Sequence, residues 1–337
     1  MAYSRRIFLK AAAGTIAAAG VPRLVSASTT DGQPVTPDQI IGLFEPLPGD
    51  KGIKILAPGA NLKPGFVAEL NSGQRLFVAS AGKTFALCKA LQQVDSRDVV
   101  ETLQREKLTL DSTIWSIPGS PFFIPPHLKG SVPERAAMEA MIMASDNTAT
   151  DMIFKVAGVD DIRAFIASLG LAQTQIPDST RAFAAYLFGA ENYKTISWEE
   201  LEDLLKNGHL EHPFLNDVET FASSADDFVS YYSRALQGEF FKHEETLNEY
   251  RRILTLCDYI YLIPLPLGVS AYAKSGNADV PGFHARSIAG GLFVANRWVY
   301  FAFVHNWYAS APEDPATVGK FFSAINTALT LVKNSFS

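Results

Sequence analysis

Cysteine is scarce in this chain of 337 residues, and the only two present are Cys88 and Cys257. A framework of several disulfides is therefore excluded. The six histidines and two cysteines show none of the spacings typical of zinc sites, so we expect no metal and no cofactor. The formal net charge is −6, and no basic run is interleaved with aromatic residues. Both features argue against nucleic acid as a partner.

The chain also has no apolar run near its N-terminus that is long enough to span a membrane. The most apolar stretch there, residues 11–21, is too short. It follows Arg5 and Arg6 and is followed by an A-x-A-like site at residues 25–27. This order is typical of a twin-arginine export signal that is cleaved after its last alanine. We therefore expect residues 1–27 to be removed. The mature protein would be periplasmic or secreted in a bacterium, with no membrane span.

The rest of the chain reads as one domain after a short leader. Residues 28–49 are polar and proline-rich, which predicts a mobile leader segment. Residues 50–337 show no internal repeat and no linker. With 47% hydrophobic residues in the chain, this length is sufficient for a large core.

The order of predicted elements indicates an α+β fold. β-rich runs open the domain, the middle has the periodicity and capping signals of helices, and strand-like runs return before a closing helix. This order predicts an antiparallel sheet formed from both chain ends and packed with a mainly helical middle region. Within that region, Ser131 and Glu134 are spaced as a capping box at the start of a helix.

Ser80 and Lys83 stand three residues apart at the start of a predicted buried helix that runs to about Val94. Residues at i and i+3 share one helix face. A lysine whose pKa is lowered by burial can take the proton of a serine hydroxyl and so make the serine a nucleophile. The same pattern also occurs in helices that begin with a serine cap and continue with a surface lysine. The pair alone therefore leaves both interpretations open.

Two further motifs follow in the chain, Ser145-Asp146-Asn147 and Lys274-Ser275-Gly276. With Ser80-Ala81-Gly82-Lys83 they resemble the S-x-x-K, S-D-N and K-T-G set of the penicillin-binding and class A β-lactamase-like serine hydrolases. The longer match MASDNTATDMIF and the strands around the third motif extend the resemblance over most of the chain after residue 53. The resemblance implies a β-lactamase/transpeptidase-like fold and catalysis through a serine acyl-enzyme.

The resemblance also implies the catalytic roles. Ser80 would attack a carbonyl carbon and Lys83 would accept its proton. Ser145 would pass a proton to the leaving group, beside the positive charge of Lys274, which would also favour a substrate carboxylate. Two donors must converge on the developing oxyanion, and the resemblance assigns them to the backbone N–H groups of Ser80 and Asn277.

Substrate-binding roles follow from the same resemblance. Asn147 would hold the substrate amide, and Ser275 and Gly276 would line the strand beside it. Arg286 stands where similar enzymes keep a carboxylate-binding arginine, although an ordinary strand-surface charge remains the alternative. The expected partner is a small-molecule or short-peptide substrate that bears a carboxylate.

The sequence departs from the family pattern in the segment that serves release of the acyl group. Class A β-lactamases carry an E-x-x-L-N segment whose glutamate activates the hydrolytic water, but the corresponding residues 175–181 contain no glutamate. Asp178 is the candidate substitute base, and a loop turn beside Pro177 is the alternative. Residues 191–220 form an extra segment. Efficient β-lactam hydrolysis therefore does not follow from the three motifs.

Four hypotheses remain. The first is an exported serine hydrolase with slow or atypical β-lactamase activity. The second is an esterase or D-amino-acid peptidase of the same fold, in which Lys83 or Tyr272 takes part in deacylation. The third is a β-lactam- or peptidoglycan-binding protein that is acylated and stalls. The fourth is a scaffold without activity, which the cost of converging buried polar groups disfavours.

Overall fold

The computed structural model describes residues 35–59, 64–117, 120–258 and 269–336. The predicted export signal lies outside these residues. The strands are β1 (Asp50–Ala57), β2 (Phe66–Leu70), β3 (Leu76–Phe77), β4 (Lys107–Leu110), β5 (Gly130–Pro133), β6 (Ala222–Ser223), β7 (Ser270–Val280), β8 (Phe283–Val294) and β9 (Arg297–Trp307).

The helices lie mainly between the two ends of the sheet. They are α1 (Pro37–Ile41), a 3-10 helix (Ala79–Gly82), α2 (Lys83–Gln93), α3 (Val99–Arg105), α4 (Glu134–Met143), α5 (Asn147–Ala157), α6 (Val159–Ser168), α7 (Thr180–Leu187), α8 (Trp198–Asn207), α9 (Ala225–Ala235), α10 (Glu244–Leu254) and α11 (Pro315–Asn334).

A five-stranded antiparallel sheet in the order β2-β1-β9-β8-β7 organises the fold. The N-terminal strand β1 pairs with the C-terminal strand β9, with Ile53 opposite Phe303. The sheet is thus built from both chain ends around a helical middle, and the predicted α+β fold is confirmed. Strand β7, which carries Lys274-Ser275-Gly276, lies at one edge of the sheet.

The sheet is the central layer of three. One face packs against α1 and α11, where Phe44 stacks on Phe303 at 5.5 Å and meets Phe321 edge-on. The other face packs against the 3-10 helix and α9, and continues into the helical region. Full burial of each such phenylalanine contributes about 2 kcal/mol. The two apolar layers hold the strands in register.

The predicted leader is wrong for residues 35–49. Helix α1 begins with a capping box formed by Thr36 and Gln39. Ile40 and Phe44 are fully buried and Leu47 is 5% exposed. Ile40 lies in α1, whereas Phe44 and Leu47 lie in the turns that follow it, and all three belong to the apolar cluster against the sheet. The domain therefore includes these residues.

The predicted capping box at Ser131 is also wrong. Ser131 lies in β5, which pairs with β4 so that Val132 is opposite Leu108. Helix α4 begins only at Glu134, and no side chain caps it. Strand pairing with a segment about 24 residues away supplies the hydrogen bonds that a capping serine would otherwise provide. By contrast, the capping box of Ser197 and Glu200 at the start of α8 is present.

Candidate active site

Ser80 lies in the 3-10 helix Ala79–Gly82, which separates β3 from α2. Contacts from two directions hold this turn. The backbone N–H of Val78 donates to Phe221 O at 2.8 Å, and the Ser287 hydroxyl of β8 donates to Val78 O at 2.6 Å. The predicted single helix from Ser80 is therefore a 3-10 turn followed by α2. This turn presents Ser80 at the junction between the sheet and the helices.

Lys83 is fully buried directly after this turn. Its amine donates to Ser145 O at 2.6 Å, to Asn147 Oδ1 at 2.9 Å and to Ser145 Oγ at 3.3 Å. Burial, and then the charge of Lys274, hold the pKa of Lys83 well below its ordinary value of 10.5, although three nearby acids oppose the shift. A lowered pKa makes a lysine better suited to act as a general base than a lysine in water.

The Ser145 hydroxyl lies between two amines. Lys274 of β7 is fully buried, and its Nζ donates to Ser145 Oγ at 3.1 Å and to Ser275 O at 2.9 Å. Together with Lys83 Nζ, this places two lysine amines within hydrogen-bond distance of one hydroxyl oxygen. The arrangement can move a proton from one side of the site to the other through Ser145.

Two residues, one beside the first motif and one within the second, adopt left-handed backbone conformations. Ala79, which precedes Ser80, has φ of 47°, and Ser145 has φ of 57°. Such conformations cost a residue other than glycine about 1–3 kcal/mol and cluster at functional sites. The surrounding contacts therefore hold both motifs in shapes that the backbone would not adopt alone.

Gly276 brings β7 against the 3-10 turn that carries Ser80. A Cβ atom at this position would lie 2.3 Å from Val78 O, 2.7 Å from Ser80 N and 2.8 Å from Ala81 N. Only glycine permits so close an approach of two backbones. The approach places Asn277, the next residue of β7, beside the turn that carries the Ser80 N–H. The two expected oxyanion donors thus belong to segments that are in contact.

Asp146 holds a loop beside the site. Its Oδ1 accepts the N–H of Ala149 as the cap of α5, and its Oδ2 accepts the N–H groups of Phe122 and Phe123 at 3.1 and 3.0 Å. The side chains of Phe122 and Ile124 on this loop are about half exposed. An apolar rim is therefore attached to the S-D-N motif.

Comparison with known protein families identifies the family of this chain. A family profile described as the beta-lactamase enzyme family matches residues 56–328. The chain belongs to this family. No curated protein sequence matches it. The family match covers most of the domain and includes all three motifs.

Solved structures support the same family fold. A class A beta-lactamase from Bacteroides cellulosilyticus is 17% identical with a TM-score of 0.64, over 89% of this chain and 98% of that one. A class A beta-lactamase from Mycobacterium abscessus is 18% identical with a TM-score of 0.61, over 90% and 99%. The protein named PBP-A is 16% identical with a TM-score of 0.62, over 90% and 98%. At these identities the likeness is one of fold.

This beta-lactamase-family chain differs from expectation at Asp178. Its carboxylate accepts Arg163 Nη2 at 2.6 Å and contacts Lys194 Nζ at 2.8 Å. Burial raises the pKa of Asp178, but the hydrogen bonds from Lys194 and Arg163 outweigh that effect and hold the pKa below 3.8. Asp178 lines a pocket of about 360 Å³ to which none of Ser80, Lys83, Ser145 and Lys274 contributes. The contacts that the structure gives Asp178 are with Arg163, Lys194 and Glu219, and not with these four residues.

Arg286 also lies apart from the lysines. It is opposite Asn277 in the β7–β8 register, so it shares a sheet face with Asn277 and not with Lys274. Its Nη2 donates to Asp279 Oδ2 at 2.6 Å, and its Nη1 donates to the carbonyl of Ala285 at 2.8 Å. Arg286 as a whole is 8% exposed. Its charge is paired within the protein.

Two acids near the motifs were not identified from the sequence. Asp151 lies one turn after Asn147 on α5 and is 5% exposed. It accepts the N–H and the hydroxyl of Thr180 at 2.6 and 2.8 Å. Because it lies four residues after Asn147, the spacing in the sequence indicates that both side chains share one helix face. Asp258 accepts the Ser275 hydroxyl at 2.9 Å. No local pattern marks Asp258, because the contact joins a segment after α10 to strand β7.

Within the described ranges, every helix is too short or too polar to cross a bilayer. The same ranges contain no group of three or more side chains arranged to ligate a metal ion.

Proposed function

We propose that the protein is an exported active-site-serine hydrolase that forms an acyl-enzyme on Ser80. One observation carries the proposal: the Ser145 hydroxyl lies within 3.3 Å of both the Lys83 and the Lys274 amines. Burial and the neighbouring charge of Lys274 lower the pKa of Lys83. A buried lysine beside a serine hydroxyl lowers the stability of the fold, and such pairs occur most often where proton transfer uses them.

The proposed acylation needs no group beyond those of the chain. The Ser80 Oγ attacks the substrate carbonyl carbon, and its proton moves to Lys83. The N–H groups of Ser80 and Asn277 bind the oxyanion of the tetrahedral intermediate. When the intermediate collapses, the bond between the carbonyl carbon and the leaving nitrogen or oxygen breaks. The proton then passes from Lys83 through Ser145 to the leaving group.

Slow or atypical hydrolysis of β-lactam amides is the first-ranked activity. Family membership supports it, and turnover of β-lactams would make the protein an antibiotic resistance determinant. The second-ranked activity is that of an esterase or D-amino-acid peptidase. A protein that is acylated without turnover is the alternative of another class. It is favoured by one observation, the pairing of Asp178 with Arg163 and Lys194, which leaves that carboxylate unsuited to activate water.

The location of the reaction is part of the proposal. The paired arginines and the short apolar stretch that follows them support export by the twin-arginine route and action in the periplasm or outside the cell. Small acyl compounds and short cell-wall peptides are the substrates that the protein would meet there.

The experiment follows acylation and turnover separately. The mature protein is incubated with a chromogenic cephalosporin, a nitrophenyl ester and a D-Ala-D-Ala peptide, and intact mass reports the adduct while absorbance or chromatography reports product. We expect an adduct that maps to Ser80 and is lost in Ser80→Ala. Ser230→Ala is the matched control, because Ser230 is exposed on α9.

Each result has a definite meaning. An adduct with continuing product release supports the hydrolase, and a stable adduct without product supports the binding protein. If none of the three compounds acylates the protein, and Ser80→Ala has the same activity as the unmodified chain, the proposal is wrong.

A further inference from the structure

Glu219 is a buried acid that the proposed mechanism does not use. It lies at the end of the extra segment 191–220, and only 1% of the residue is exposed. Its Oε2 accepts the backbone N–H of Asp178 at 2.8 Å, and its own N–H donates to Asn216 Oδ1 at 2.8 Å. Glu219 therefore joins the end of this segment to the loop before α7.

The positive charges around Glu219 are bound to other carboxylates. Arg163 of α6 and Lys194, which precedes α8, both bind Asp178. Arg75, which precedes β3, is paired with the exposed carboxylate two residues before Glu219. Among the described residues, no ion pair includes the Glu219 carboxyl itself. Ionisation of this buried carboxyl is therefore unfavourable.

The carboxyl groups of Glu219 and Asp178 lie within hydrogen-bond range of each other. A carboxyl group can donate such a bond only when it is protonated. Burial, and then the charge of Asp178, raise the pKa of Glu219 from 4.5 to about 7, although the N–H of Asp178 and the charge of Arg163 oppose the shift. Neutral Glu219 therefore binds the Asp178 side chain, and ionised Glu219 repels it.

Strand β6, which begins three residues after Glu219, contacts both this loop and the 3-10 turn of the candidate site. Ala222 exchanges two backbone hydrogen bonds with Gln175, at 2.9 and 3.0 Å, and pairs with Phe77 of β3. The carbonyl of Phe221 accepts the N–H of Val78, the residue before the turn, at 2.8 Å. The segment that Glu219 anchors is therefore the support of the turn that carries the nucleophile.

We propose that Glu219 is a positioning residue for the acylation of Ser80: its neutral carboxyl binds Asp178 and so holds β6 against the 3-10 turn, and its ionisation loosens this support. The inference rests on the proposed function, because it needs Ser80 to be acylated. Glu219 touches neither the substrate nor the reacting atoms and acts through β6.

The direction of the pH dependence follows from the raised pKa. A carboxyl with a raised pKa in the folded protein stabilises its contact fully below its ordinary pKa of 4.5, and this contribution is lost as the pH rises to about 7. Above that pH the carboxyl is ionised even while the contact persists. The support of the turn should therefore be weaker at pH 8 than at pH 5.

The first measurement follows the contact by amide hydrogen exchange. Glu219→Gln keeps both hydrogen bonds at every pH, because an amide can accept the Asp178 N–H and donate to its carboxylate. Exchange at the N–H groups of Val78 and Ala222 is expressed as the ratio of the unmodified chain to this variant, which cancels the intrinsic pH dependence of exchange. We expect the ratio to rise by up to about 100-fold between pH 5 and pH 8.

The second measurement follows acylation of Ser80 by a chromogenic cephalosporin, by intact mass. The titration of Lys83 is common to the unmodified chain and to Glu219→Gln, so the ratio of their rates isolates Glu219. We expect the ratio of the unmodified chain to the variant to fall about threefold between pH 6 and pH 8.5, since a misplacement of about 1 Å can cost about 100-fold and a loosened support costs part of that. Glu219→Ala lacks both bonds and should be acylated more slowly than Glu219→Gln at every pH.

Glu134→Gln is the matched control. Glu134 is also a buried glutamate, at 5% exposed, and burial and then the charge of Glu106 raise its pKa. It begins α4 and its N–H donates to the carbonyl of Glu106, so both ratios formed with this variant should be the same at all pH values. Carboxyl carbon NMR of the unmodified chain needs no variant and should show a glutamate that titrates near pH 7.

The failures are distinguishable. If Ser80 is not acylated in the unmodified chain, the proposed function is overturned and the positioning role with it. If Ser80 is acylated but the acylation ratio with Glu219→Gln does not change with pH, the positioning role is overturned while the hydrolase remains. The same holds if Glu134→Gln gives an equal change, or if no glutamate of the unmodified chain titrates near pH 7.

Discussion

Replacement of Gly276 by alanine tests how closely the sheet must approach the nucleophile. The added Cβ would lie 2.3 Å from Val78 O and 2.7 Å from Ser80 N. These are backbone atoms, so a side-chain rotation cannot relieve the clash. The 3-10 turn must move away from β7 by about 1 Å to restore ordinary van der Waals contact.

The size of the effect follows from that displacement. A shift of about 1 Å in catalytic geometry can lower a rate about 100-fold, and overpacking in a core costs about 1–3 kcal/mol. We therefore expect Gly276→Ala to slow Ser80 acylation by about two orders of magnitude and to lower the free energy of unfolding by about 1–3 kcal/mol. Stopped-time intact mass and urea denaturation measure the two effects.

Gly319 provides the control. It lies in α11, and a Cβ there would meet no atom within 4 Å. Gly319→Ala should leave acylation unchanged and stabilise the helix by about 0.5–1 kcal/mol. The reasoning is refuted if Gly276→Ala matches the unmodified protein in both acylation rate and stability, because the two backbones would then not be in the contact described.

Three further predictions concern charge. Because the neutral amine of Lys83 is the base, the acylation rate should rise with pH through a pKa below 10.5, and Lys83→Arg should lower it by about 100-fold or more at every pH, as measured by intact mass. Asp178→Asn should lower the melting temperature through loss of its pairs with Arg163 and Lys194, yet leave the rate of acyl release unchanged; accumulation of acyl-enzyme would contradict the separate placement of Asp178. Burial lowers the pKa of His305 from 6.5 to about 4, so its contribution to stability is complete above pH 6.5 and falls by up to about 3 kcal/mol toward pH 4. Urea denaturation of the unmodified chain and His305→Gln across this range should show a smaller loss in the variant, and equal losses would disprove the assignment.

Local sequence signals predicted much of the fold. The terminal strands, the helical middle and the closing helix follow from periodicity and from residues near element ends, as with Ser197 and Glu200 in α8. The local signals predicted the wrong element where contacts with distant segments of the chain competed with them. Ser131 has the local features of a helix cap, but it lies in β5, which pairs with β4. Residues 35–49 contain three prolines, but the buried side chains of Ile40, Phe44 and Leu47 dock them on the sheet.

The candidate site divides in the same way. The sequence by itself determined the reactive groups, because the three motifs specify a serine, two lysines and an asparagine whatever their distance. Only the tertiary structure decided their partners. Lys83 and Lys274 meet Ser145 across 62 and 129 residues of chain, and Asp258 and Asp279 bind the side chains of Ser275 and Arg286. Such pairings depend on strand register and on packing between segments, which no local pattern encodes.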